Sequence, residues 1–299
     1  MRTIFVDKDI PRMLLVKMLR PIWSGVIWTP LSAARVAEID EPQLPGLRWL
    51  RVRNRQCGIC GSDLSLLFVK ADPTVGLVAL PGHMRIYLGH EVVGDVVEAG
   101  PEVARVRVGD RVIMSSRHAG PNCYTQGIEP VCDRCADGQM RLCVNASLGR
   151  GPEGTGGGWG DGYTAHETEV FPVPPSIDDD AAALMEPMAV ALHAVLRRPP
   201  QAGGHVLVVG AGTIGLFTLQ AARALAPEAH IAVVARYAHQ AELARRFGAD
   251  EVLSGGDTYA EIARVTHAHL YRAPLNRGIT TSFGLAGIPL RKSRKYAGE

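Results

Sequence analysis

At 299 residues, with 46% hydrophobic residues and 33 glycines, the chain is long enough for two domains with sizeable cores and too apolar for a disordered or fibrous protein. Thirty-two basic residues face 30 acidic ones, a formal charge of +2 concentrated only at Arg291, Lys292, Arg294 and Lys295, which argues against a nucleic-acid surface. The apolar start, Met1 to Trp28, is interrupted by Asp7, Lys8, Asp9, Arg12, Lys17 and Arg20; neither a signal nor a spanning segment is expected, and a soluble cytoplasmic protein without a membrane partner is.

From Thr3 to Leu50, prolines at 11, 21, 30, 42 and 45 predict an N-terminal edge and long loops rather than a helix or central strand. Alternation at Trp49 to Arg55 predicts a half-exposed strand, and Asp63 to Val69 a short helical turn. After a Pro/Gly loop, Glu91 to Ala99 and Arg111 to Met114 read as strands separated by the Gly109-Asp110 turn, a barrel-like set of short strands. His118 to Asn145 has no apolar period. Glycine-dense 151–162 predicts a loop, Tyr163 to Val170 a strand, Phe171 to Pro175 a proline-rich exit and Asp178 to Val195 a helix. The second half then alternates: strand His205 to Val209, helix Leu216 to Leu225, strand Ile231 to Ala235, helix Gln240 to Phe247, strand Glu251 to Leu253. That order is a doubly wound parallel sheet of the α/β class, its pattern lost after Val265.

The chemistry sits in three places. Gly210-x-Gly212-x-x-Gly215 follows a strand and opens a helix, so Gly210, Gly212, Thr213, Ile214 and Gly215 are the expected cofactor-binding residues. The glycines allow the tight turn and close backbone approach, and the helix N-terminus favours a pyrophosphate. Ala235-Arg236 stands where an acidic residue would take the ribose hydroxyls, which predicts NADP, with NAD the alternative. Cys123, Cys132, Cys135 and Cys143 have the spacing of a closed tetrathiolate zinc site in a lobe, 118–145, that packing alone cannot hold. Cys60, His90 and Glu186 form the expected catalytic metal set, with a fourth position open. Neighbours on a strand face opposite ways, so Glu91 is expected behind the ion, orienting a ligand or exchanging with one. Cys57 completes a C-x-x-C with Cys60; a small buried side chain is expected, a redox pair being the alternative.

Gly89-His90-Glu91-x2-Gly94-x5-Gly100-x2-Val103, followed in order by Gly109-Asp110-Arg111-Val112, the cysteine lobe and Gly210 to Gly215, and preceded by Cys60-Gly61-Ser62-Asp63, resembles the zinc-dependent medium-chain alcohol dehydrogenases over roughly 45–265. The resemblance implies a GroES-like β-barrel catalytic domain, 1–180, and a Rossmann domain, 181–299. Glu186-Pro187 is similar to the polyol, sorbitol and glucose dehydrogenase branch. By the same resemblance, one catalytic and one structural zinc serve hydride transfer between a small alcohol or sugar and NAD(P). Ser62 relays the proton, Ser65 stands where many relatives have a histidine, and a homo-oligomer is an open alternative. Residues 266–299 do not match the strands the family plan places there, which predicts a shortened chain, an incomplete sheet and, as the rival reading, a zinc-binding remnant without turnover.

Overall fold

The structure, a computed structural model, describes residues 1–70, 85–115, 121–146, 154–254, 257–265, 269–272 and 277–280; the Pro/Gly loop at 71–84, the first three residues of the glycine-dense stretch and the tail from 281 lie outside them. The chain divides into two compact units, Met1–Glu186 and Pro187–Glu299.

The first unit opens with β1 (Arg2–Asp7), α1 (Ile10–Leu19) and β2 (Ala34–Glu38). Here the proline argument fails. Pro11 falls in the first turn of α1, where a missing N–H costs nothing, and Asp9 caps the helix by accepting from Arg12 N at 3.0 Å. Then come β3 (Trp49–Cys57), α2 (Gly61–Leu67), β4 (Arg85–Tyr87), β5 (Val92–Ala99) and β6 (Arg111–Met114). β1 pairs antiparallel with both β2 and β4. Under that small sheet, Val6, Met13 and Val16 pack with Leu66 and Val69 from the α2 region and with Ile86 and Leu88. The first forty residues thus brace the segments that carry Cys60 and lead into His90.

The cysteine lobe contains α3 (Cys123–Gln126) and α4 (Asp133–Ala136). The strand expected over Tyr163 to Val170 is two, β7 (Gly162–His166) and β8 (Val170–Pro172), separated by a 3₁₀ turn, Glu167–Glu169. Together they complete a five-stranded antiparallel sheet, β7-β3-β5-β6-β8, over a core that includes Leu50, Val52, Val96, Val112, Met114 and Tyr163. The helix expected over Asp178 to Val195 is likewise two, α5 (Asp179–Ala183) and α6 (Met185–Arg197). Pro187, third in α6, cannot donate backward and its ring would collide with the preceding turn, so the helix restarts at Met185.

In the second unit β9 (His205–Val209), α7 (Thr213–Leu225), β10 (His230–Val234), α8 (Ala238–Arg246), β11 (Glu251–Leu253) and α9 (Thr258–Val265) follow in turn. The three strands are parallel in the order β11-β10-β9, and Val208, Leu219, Ile231, Val233 and Ala244 fill the space beneath the helices. Beyond them β12 (His269–Arg272) and β13 (Arg277–Thr280) form an antiparallel pair. Among the described residues no helix is long and apolar enough to cross a membrane.

Candidate metal centre

β3 runs antiparallel to β5 as far as Cys57 opposite Val92, and beyond that ladder Gly58 N still donates to the Glu91 carbonyl at 2.8 Å. Cys60 is the N-cap of α2, with Asp63 one turn on. β5 begins only at Val92, and Gly89 has φ +84°, so His90 and Glu91 lie on irregular backbone and the alternation of a strand does not apply to them. One ligand atom each from Cys60, His90 and Glu91 lies within 4.8 Å of the others. Glu91 therefore does not face away as strand alternation would have it, and stands where an alternate ligand would. Gly58 makes the room: a Cβ there would sit 2.3 Å from Glu91 Oε2.

Asp63, unassigned from the sequence, stands behind the histidine. It is 1% exposed, its Oδ2 lies 3.1 Å from His90 Nδ1 and its Oδ1 accepts from Gly89 N at 3.2 Å. An imidazole held through Nδ1 has Nε2 left to offer an ion. Burial disfavours the imidazolium, but the carboxylate of Asp63, with Cys60 and Glu186 nearby, outweighs it and raises the pKa to about 9. Metal loading must therefore displace a proton.

Glu186, in the first turn of α6, is close enough for its charge to act on His90, and burial raises its own pKa, but it is not in the group of three. Cys57 also stands outside it. Its thiol is half-buried, donates to the Gly58 carbonyl at 3.2 Å and is pushed up to about 12 by burial and by Asp63 and Glu91, which suits neither a ligand nor a redox partner. Ser62 is exposed on the first turn of α2, and the Ser65 hydroxyl donates back to the Gly61 carbonyl at 2.8 Å.

The glycine-dense stretch is a strut for this centre. Asn54 Nδ2 donates to the carbonyls of Gly157, Gly158 and Gly160 at 2.9, 3.3 and 2.8 Å. Gly158 N donates to Gly89 O at 2.8 Å, Trp159 N to Leu88 O at 3.1 Å and the Trp159 indole to Gly58 O at 3.3 Å. A Cβ on Gly158 would come within 2.4 Å of Cys57 Sγ.

All four sulfurs of Cys123, Cys132, Cys135 and Cys143 lie within 4.8 Å of one another. The wide gap from Cys123 to Cys132 closes because α3 ends at Gly127 in the left-handed region, started by an Asn122 capping box. Asn145 Nδ2 and Cys132 N point at Cys123 Sγ, at 3.3 and 3.5 Å. Backbone N–H groups of Cys135 and Val144 pull the Cys132 thiol down to about 6, whereas burial pushes Cys135 up to about 12. The six cysteines, all among the described residues, are free thiols. Four converging sulfurs with N–H donors fit a tetrathiolate zinc.

In the second unit Gly210 has φ +103° and donates to Val234 O at 3.0 Å; Gly212 caps α7, leaving Thr213 and Ile214 in its exposed first turn. A Cβ on Gly215 would meet Gly210 O at 1.8 Å, so only glycine lets helix and loop approach. Arg236, exposed just after β10, lies with its guanidinium 5.4 Å from the Tyr237 ring centroid.

Residues 46–175 match the alcohol dehydrogenase GroES-like domain. The (R,R)-butanediol dehydrogenase of Bacillus subtilis is 31% identical over 271 residues, 88% of this chain and 70% of that protein. The chain belongs to the zinc-dependent medium-chain alcohol dehydrogenases. The (R,R)-butanediol dehydrogenase of Saccharomyces cerevisiae is 36% identical over 54% of the chain and 45% of its own length. Among solved structures, a zinc-binding dehydrogenase from Sinorhizobium meliloti bound to NADP has a TM-score of 0.58 at 29% identity, covering 81% of this chain and 62% of the other. The chain spans between 45% and 70% of the length of those relatives.

Proposed function

We propose that this medium-chain dehydrogenase exchanges a hydride between the carbinol carbon of a small polyol, sugar or secondary alcohol and NAD(P). The convergence of Cys60, His90 and Glu91 carries the reading, and the butanediol dehydrogenases similar to it are named for a diol substrate. Bound zinc supplies Lewis acidity to a substrate oxygen. Cys60, His90 and Glu186 would hold it, Glu91 would orient a ligand or replace one, and Asp63 would keep His90 in register. Ser62 accepts the proton of the alcohol and hands it to water. The first turn of α7 takes the pyrophosphate, and Arg236, with Ala235 in place of a carboxylate, favours the 2′-phosphate of NADP. The cysteine lobe carries a second, structural zinc. A reducing cytoplasm suits thiols kept for metal.

Metal analysis combined with cofactor reduction over a panel of alcohols and sugars tests this: about two zinc per chain and turnover are expected. Zinc without turnover supports the rival reading, a metal-holding unit, which rests on the three-stranded nucleotide sheet among the described residues. Undiminished turnover in Ser62→Ala removes the relay. Fluorescence titration should show NADPH binding tighter than NADH, and the reverse order defeats the assignment of Arg236.

A further inference from the structure

β1 and β2 pair directly, Val6 opposite Ala34, so a tight turn could join them. Instead residues 8–33 build α1 and a 3₁₀ turn, Ser24–Trp28. One side of this cap, Met13, Val16, Val26 and Ile27, is buried in the unit's core. The other side is apolar too. Leu14 and Leu15 are exposed on α1, and Met18, Ile22 and Trp28 are 74%, 89% and 72% exposed, with Trp23 half out. Leu14 and Met18, four residues apart on α1, share the side away from Met13 and Val16, and Ile22 follows in the turn after the helix. A helix apolar on two sides has two partners, and only one of them is the core.

Charge identifies the second. Residues 8–33 hold four basic residues, Lys8, Arg12, Lys17 and Arg20, against one acidic, Asp9, which pairs with Arg12. This short stretch carries more net positive charge than the whole chain, and two of the four tryptophans. A second copy docking the same face would bring like charges together. Exposed aliphatic and indole side chains among lysine and arginine match the boundary of a bilayer with anionic headgroups, where rings and aliphatic stems enter and the charges stay at the surface. Ten residues of α1 are far too short to cross a bilayer and long enough to lie on one.

We propose that the outer face of residues 8–33 seats the protein on an anionic lipid surface, with Met18, Ile22, Trp23 and Trp28 entering the headgroup boundary. The test uses the full chain with vesicles of phosphatidylcholine alone or mixed with phosphatidylglycerol, read by co-sedimentation and tryptophan emission. Binding with a blue shift is expected only on the mixed vesicles, weakened by salt. The Met18→Ser/Ile22→Ser/Trp28→Ser protein should lose at least about tenfold in partitioning, and Lys17→Glu a smaller factor, both compared on protein that circular dichroism shows to be folded. Failure to bind the mixed vesicles, equal binding to both kinds, or binding indifferent to the triple substitution overturns the proposal. So does a wild-type dimer without vesicle binding that the triple substitution makes monomeric, which assigns the face to a second copy.

Discussion

The two ligand clusters of the first unit are built on opposite principles. Cys60, His90 and Glu91 come from chain ends of packed strands and a helix, braced by Asp63, Asn54 and Trp159. The four cysteines sit on two single-turn helices and short turns, where Cys123 and Cys135 are buried but belong to none of the core clusters of the described residues. One site is a product of folding; the other has to be a cause of it.

That contrast can be broken experimentally. Cys135→Ser should remove the lobe's metal and with it much of a binding free energy on the order of 10 kcal/mol. Metal content should fall by one ion, and hydrogen exchange should rise across 121–146 while β3 and β5 stay protected. Glu167→Ala strikes the frame instead. The carboxylate is fully buried, takes Arg48 Nε at 2.7 Å and accepts from the N–H groups of Ala104 and Arg105 at 2.8 and 2.9 Å. Its loss should cost about 3 kcal/mol by denaturant unfolding, with the lobe's metal retained. Asp63→Asn should weaken metal binding at Cys60 and His90 by about ten- to a hundredfold, measured by chelator competition, with the cysteine site unchanged. An equal loss at both sites would erase the distinction.

The smallest effect is one of pH. His166 is buried against Trp49, and burial, with Arg48 adding to it, drops its pKa from 6.5 to about 4. The unfolded chain then binds the proton more readily, so this contribution is whole above pH 6.5 and is lost as the pH falls toward 4, by at most about 1.4 kcal/mol per unit. His166→Gln should flatten that slope in unfolding curves recorded across this window. An unchanged slope would move the acid sensitivity elsewhere.

Much of the framework was legible because it rests on local patterns: β3 alternates, β5 is a β-branched run, β6 follows the Gly109-Asp110 turn, and β9 to β11 with their helices follow the period and glycines of a nucleotide fold. The cysteine lobe was legible by spacing alone. The rest depended on position within an element. Pro11 looked like a break and proved to be a start, a matter of one residue relative to the Asp9 cap. Alternation wrongly turned Glu91 away, because the strand begins one residue later. Asn54 belongs to no motif, and Asp63, though it closes Cys60-Gly61-Ser62-Asp63, had no role assigned; at three residues past Cys60 it falls on that residue's side of a helix, a spacing that could have flagged it.

The bonds from Gly158 and Trp159 to Gly89 and Leu88 also set a timetable for synthesis. Cys60, His90 and Glu91 leave the ribosome long before the residues that fix the backbone ahead of them. A chain stopped short of Trp159 lacks these bonds, while every residue of the cysteine cluster and its Asn145 contact is already made.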